Sequence, residues 1–120
     1  MKVAVASQGS DVNDHVASRF GRTCYLVIVD AASGEFTVHE NSGKLKTAHT
    51  AGMQTAGAVV SLGVDAVITG GIGPKAFATV RAGNVAVYTV APETVADAIE
   101  KFKAGRLQPS HEANMREHWK

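Results

Sequence analysis

A chain of 120 residues with 45% hydrophobic content fits a single domain that buries roughly two thirds of its unfolded surface, with no room for a second core. Lys and Arg number 12 against 11 Asp and Glu, which excludes the global basic field behind sequence-independent nucleic-acid binding, so any anion has to be captured locally. The single cysteine, Cys24, excludes an internal disulfide and a thiolate-only metal site within one chain, and no apolar run reaches the ~18 residues of a membrane span. The expectation is a cytoplasmic monomer with no nucleic-acid or membrane partner.

In chain order, the Val- and Ala-rich run Lys2 to Ser7 predicts a central strand, followed by a loop to Arg22 long enough to be functional. Cys24 to Asp30 and Glu35 to Glu40 predict an antiparallel hairpin at a sheet edge, with Gly34 supplying a positive φ. A polar segment, Asn41 to Thr50, leads to a helix from about Ala51 to Leu62 that Gly63 stops. Its small residues, Ala51, Gly52, Ala56, Gly57 and Ala58, permit close approach to the sheet.

The most informative stretch comes next. Val64 to Thr69 is apolar enough for a strand buried on both faces, and Pro74 suits the first position of a helix that ends at Gly83. Between them, Gly70, Gly71 and Gly73 are expected to leave amides uncovered beside a positive helix end, which is how an anion site is built. The same glycines also suit a plain βα connection in which they only allow tight packing. Val85 to Val90 then reads as a buried strand, Thr94 with Asp97 as a helix cap, and Gly105 as the stop of that helix. The order β-β-β-α-β-α-β-α predicts an α/β domain in three layers, with a five-stranded mixed sheet of order 3-2-1-4-5 and helices on both faces.

Ligands of such sheets bind beyond the carboxyl ends of the strands where the order reverses, here between the first strand and the strand ending at Thr69. Three segments converge there: the first loop with Arg19 and Arg22, the helix start with His49 and Thr50, and Gly70 to Lys75. Their common chemistry is anion recognition. Competing structural roles exist for each: the arginines can bridge to Asp11 and Asp14 while Phe20 anchors the loop, and His49 can be a capped or exposed histidine.

Four ordered motifs narrow the choice. S-R-F-G-R at Ser18 to Arg22, H-T-A-G-M-Q at His49 to Gln54, the run from Gly63 to Phe77, and F-K-A-G-R-L at Phe102 to Leu107 together resemble the dinitrogenase iron–molybdenum cofactor biosynthesis family. The resemblance covers Met1 to Leu107, so we expect a domain over 1–107 and a mobile tail over 108–120. It implies an RNase H-like fold that binds or carries a metal–sulfur cluster. A free-standing domain of this length with a histidine-containing tail is most similar to members implied to hold a molybdenum–copper sulfide cluster without covalent protein ligands. An iron–molybdenum cluster is the alternative. Carried over by motif, the contacts are Arg19, Phe20 and Arg22, then His49, Gly52 and Gln54, then Gly70, Gly71, Ile72, Gly73 and Lys75. Thr23 and Cys24 depart from the family pattern, which makes Cys24 a candidate soft ligand for copper, against its role as a small strand hydrophobe.

The leading functional expectation is a non-enzymatic carrier of that cluster. A phosphate- or nucleotide-sensing regulatory module that binds a partner is the second. A metal-dependent nuclease ranks below both, because it needs carboxylates on the central strand, which here reads Val3, Ala4, Val5, Ala6 and Ser7. In the tail, His111, Met115 and His118 fall on one side of a short helix with copper-binding softness, beside the alternative of a solvated terminus with Trp119 exposed.

Overall fold

The N-terminal strand sits at the centre of the molecule because its side chains are small or β-branched on both faces. The computed structural model describes residues 1–40 and 48–110. In it, β1 (Lys2–Ser7), β2 (Tyr25–Asp30), β3 (Phe36–Glu40), β4 (Ala66–Thr69) and β5 (Ala86–Thr89) form one sheet of order β3-β2-β1-β4-β5. β2 runs antiparallel to both β1 and β3, whereas β1, β4 and β5 are parallel, as βαβ connections require. The expected α/β architecture and strand order are those observed.

Two cores flank the sheet. On one face Ala4 and Ala6 of β1, with Leu26 and Val67, lie under Val59 of α1 (Ala48–Ser61) and Val80 of α2 (Pro74–Ala82). On the other, Val3, Val5, Val27 and Ile68 pack against Val95 and Ala98 of α3 (Val95–Lys103). Every residue from Val3 to Ser7 is 0% exposed, so a charge on this strand would be buried without water.

Several element ends depart from the sequence reading. α1 begins at Ala48 rather than near Ala51, which draws His49 and Thr50 into its first turn. Within α1, Ala56 is buried as expected, but Gly57 is exposed and a Cβ there would meet nothing within 4 Å, so Gly57 does not serve close packing. Gly34, Gly63 and Gly105 adopt φ of 82°, 69° and 71°, the left-handed values their turns call for. After α2, in contrast, the left-handed residue is Asn84 at φ 65°. Gly83 is required for space instead, since a Cβ would lie 2.8 Å from a Val60 methyl.

The segment beyond α3 is held at its start. Ser110 N–H donates to Val87 O at 2.6 Å and Pro109 bridges to Tyr88, so residues 109 and 110 lie along β5 and are not part of a free tail from 108. Residues 111–120, with His111, Met115, His118 and Trp119, lie outside the described residues, as do 41–47.

Two outcomes test this local chemistry. Thr94 Oγ1 accepts the Asp97 N–H at 3.1 Å, so Thr94→Ala should cost about 1 kcal/mol in urea unfolding. The amides of Ala32 and then Ser33 hold Asp30 below its ordinary 3.8 by donating to its carboxylate. Its contribution is therefore present above that ordinary value and lost as pH falls through the lower folded one. Asp30→Asn should flatten the acid limb of a stability–pH profile below about pH 4.

Candidate functional site

Three parallel strands, β1, β4 and β5, end on the same side of the molecule, and the connections leaving them build the site. After β1 the chain makes a loop that folds back on its own strand. Gln8 N–H donates to His15 O at 2.9 Å and Ala17 N–H to Ala6 O at 2.7 Å. Val16 N–H donates to Glu93 O at 2.9 Å, which ties the loop to the connection before α3 as well. The carboxylates of Asp11 and Asp14 accept hydrogen bonds from the loop's own amides, those of Val12 and Asp11 respectively.

The next turn of the loop locks onto the glycine segment after β4. Gly70 N–H donates to Ala17 O at 2.9 Å, and Phe20 N–H donates to Gly71 O at 2.6 Å. Ser18 and Arg19 are thereby held between two anchors on the same four-residue connection. This corrects the expectation that all three glycines present uncovered amides: the Gly70 amide is used within the protein. Gly70 is a glycine because a Cβ would lie 2.8 Å from Ala17 O and 2.9 Å from Ser18 Cα. Gly73, by contrast, has open space where a Cβ would stand, with an extended backbone at φ −83° that starts α2.

The helix starts differ in charge. α3 opens with the Thr94 cap and Asp97 in its first turn, so its positive end is matched. α2 opens at Gly73 with no side-chain cap and no acidic residue in its first turn, followed at once by Pro74 and exposed Lys75. α1 likewise has no acidic residue in its first turn, where His49 and Thr50 stand with Gly52 following. The short 3-10 turn Phe20–Arg22 packs against α1, and its Phe20 amide bonds the glycine segment, so the arginine and glycine motifs meet at one end of the sheet.

The individual placements are as follows. Phe20 is 1% and Ile72 0% exposed; both belong to the core beneath α1 and α2 and form the floor of the site rather than its surface. Arg19 is partly exposed at the start of the 3-10 turn, and Gln54 is exposed on α1. Arg22 lies in the 3-10 turn; its side chain, like those of His49, Thr50 and Met53, is outside the described residues, and Gly52 is placed by backbone alone. Cys24 is a partly exposed free thiol immediately before β2, at the same end of the sheet. Among the described residues, no three His, Cys, Asp or Glu side chains converge on a point where they could hold a metal ion.

A cleft of about 330 Å³ opens beside these anchors, lined by Gln8, His15, Ser18, Gly70, Val90 and Pro92 among others. The sequence reading does not single out Gln8 or His15, and takes Ser18 only as the first residue of a motif. They are separated in a long loop, and only the Gln8–His15 hydrogen bond and the close contact of Ser18 with Gly70 set them on one wall.

Residues 1–105 match the family model described as dinitrogenase iron-molybdenum cofactor. The chain belongs to the dinitrogenase iron–molybdenum cofactor family. Its fold superimposes with a TM-score of 0.90 on the apo form of the orange protein from Desulfovibrio gigas, at 30% identity over 95% of this chain and 96% of that one. A Thermotoga protein of the DUF35 family is 37% identical, with a TM-score of 0.77 over 90% of this chain and 91% of the other. An uncharacterized protein of Methanocaldococcus jannaschii is 28% identical over 111 residues, 90% of each chain.

The contact between Gly70 and the Ala17–Ser18 backbone gives this family member a sharp test. Gly70→Ala should force the two loops apart and destabilise the protein by about 1–3 kcal/mol in urea unfolding, whereas Gly73→Ala should stay within about 0.5 kcal/mol.

Proposed function

We propose that this protein binds and carries a polyanionic metal–sulfur cluster, with a molybdenum–copper sulfide as the cargo and the iron–molybdenum cluster of cofactor assembly as the alternative. The observation that carries the reading is the pairing of an uncapped α2 start with the arginine loop hydrogen-bonded across it, in a chain of this family. Family membership and likeness to the orange protein support cluster binding, and the donor set supports a cargo held without covalent protein bonds.

In this arrangement the residues divide the work by chemistry. A sulfide cluster presents diffuse negative charge on soft, large atoms, which suits cations and N–H donors set over an apolar floor. Arg19 and Arg22 supply guanidinium N–H groups, Lys75 a point charge, and the first turn of α2 its partial positive charge. His49, Thr50, Gly52 and Gln54 bring the start of α1 to the same cargo, and Gly73, with open space where a Cβ would stand, lets the backbone approach it, while buried Gly71 anchors the loop from within. Buried Ile72 and Phe20 keep the anchors in place from below. Each charge-assisted contact contributes ~1.5–3 kcal/mol, so three or four suffice for roughly micromolar retention after the entropy of binding is subtracted. Cys24, a partly exposed thiol at the same end of the sheet, is the candidate soft ligand for copper, a role separable by substitution.

The test is reconstitution. Metal-free protein mixed with tetrathiomolybdate and a copper(I) source under argon, then desalted, should keep a visible charge-transfer band with molybdenum and copper in fixed proportion. Arg19→Ala should lose most of that band on desalting while its unfolding free energy moves by less than about 1 kcal/mol. Cys24→Ala should keep the band; loss of copper alone would make Cys24 a ligand. Colour that washes away from wild type would overturn the molybdenum–copper reading, and stabilisation by ATP or phosphate without competition from thiomolybdate would favour the sensing module.

A further inference from the structure

The two edges of the sheet are finished differently. Along β5, Pro109 and Ser110 bridge to Tyr88 and Val87 and cover part of the edge. Along β3, no described strand pairs with the outer side. Edge strands are normally protected by charged side chains, a proline or a bulge, and residues 36–38 have none of these, the one acid of the strand, Glu40, standing at its end; the strand pairs with β2 in unbroken register.

Side chains on this edge continue the core of the sheet into solvent. Cross-strand neighbours form the rows Ala66–Val3–Val29–Phe36 and Ile68–Val5–Val27–Val38 on the α3 face. The first three members of each row are at most 4% exposed, yet Phe36 is 43% and Val38 40% exposed. These are two of the three large hydrophobic side chains exposed among the described residues, and they stand two positions apart on one strand.

Backbone pattern and sequence select one partner for this edge. Asp30 N–H donates to Glu35 O, so Glu35, Thr37 and His39 turn their peptide groups inward to β2, and Phe36, Val38 and Glu40 turn theirs outward. An antiparallel copy of the same strand can then pair only in registers that set outward-turned residues opposite each other. Centred on Thr37, that register places Phe36 opposite Val38 twice, forms four backbone hydrogen bonds, and places Glu35 opposite His39 twice in non-hydrogen-bonded positions, where side chains approach most closely. Centred on Val38, it would set Phe36 against Glu40. The edge is self-complementary in polarity about Thr37, apolar side chains facing apolar ones and a carboxylate facing an imidazole.

We propose that β3 is a homodimer interface, pairing with β3 of a second copy about a two-fold axis at Thr37 to give a continuous ten-stranded sheet. This replaces the monomer expected from sequence. The contact area of one strand pair is small, so the association is weak and concentration-dependent.

Sedimentation velocity of the full chain from about 10 µM to about 1 mM should show the weight-average coefficient rising toward the dimer. Val38→Lys should abolish that rise while leaving the circular dichroism spectrum unchanged. Register is read by crosslinking in a Cys24→Ala background. Thr37→Cys should form an intermolecular disulfide under mild oxidation, because directly opposed non-hydrogen-bonded residues have Cα atoms about 4.5 Å apart, within disulfide reach. Ser33→Cys, on the hairpin turn, should crosslink at least about tenfold more slowly, as should Thr37→Cys combined with Val38→Lys. A single monomeric species at every concentration, or equal crosslinking at Ser33 and Thr37, would overturn the proposal. Neither outcome bears on cluster binding.

Discussion

Two backbone hydrogen bonds, Gly70 N–H to Ala17 O and Phe20 N–H to Gly71 O, are the constraint on which the site depends. They join the loop after β1 to the loop after β4, the two connections that part where the strand order reverses. Without a side chain at Gly70 the loops approach to within the distance a single Cβ would occupy. With one, the Arg19 turn would move away from the start of α2. Such close backbone contact also accounts for the burial of Phe20 and Ile72, since the turn can sit this low only if its apolar residues enter the core.

Electrostatics then separates one helix start from another. The partial positive charge of α3 is matched by Thr94 and Asp97, and the nearby Glu93 carboxylate pairs with Lys101. The same charge on α2 meets no carboxylate in its first turn and no capping side chain. A protein built only for stability would gain from an Asp or Ser at position 73. A glycine there, with open space above it, leaves the helix end available to a ligand. That contrast within one small domain is more informative than the presence of glycines, because βα connections also use glycine for packing, as Gly70 does, whereas Gly73 stands beside open space.

Much of this was legible in the residues themselves. The apolar period of Lys2–Ser7, the proline opening α2, the Thr94–Asp97 cap and the positive-φ glycines at 34, 63 and 105 are local signals, and the corresponding elements lie where those signals put them. Position 83 shows where local reasoning stops: Gly83 and Asn84 exchange the roles that their types suggest, because Val60 of a different helix claims the space beside residue 83. The start of α1 shifted for a comparable reason. A polar run has no periodicity from which its first turn can be read.

Sequence alone determined the α/β class, the strand order and the family, because hydrophobic period, helix-stop chemistry and ordered motifs are carried by residues close together along the chain. Tertiary structure decided which groups of the candidate site stay near the surface and which enter the core. It spent the Gly70 amide on Ala17, buried Phe20 and Ile72, set Gln8, His15 and Ser18 on one wall of a cleft, and left Phe36 and Val38 at an open edge. Each of these follows from contacts between segments distant in sequence, and no single segment contains the information that fixes such a contact.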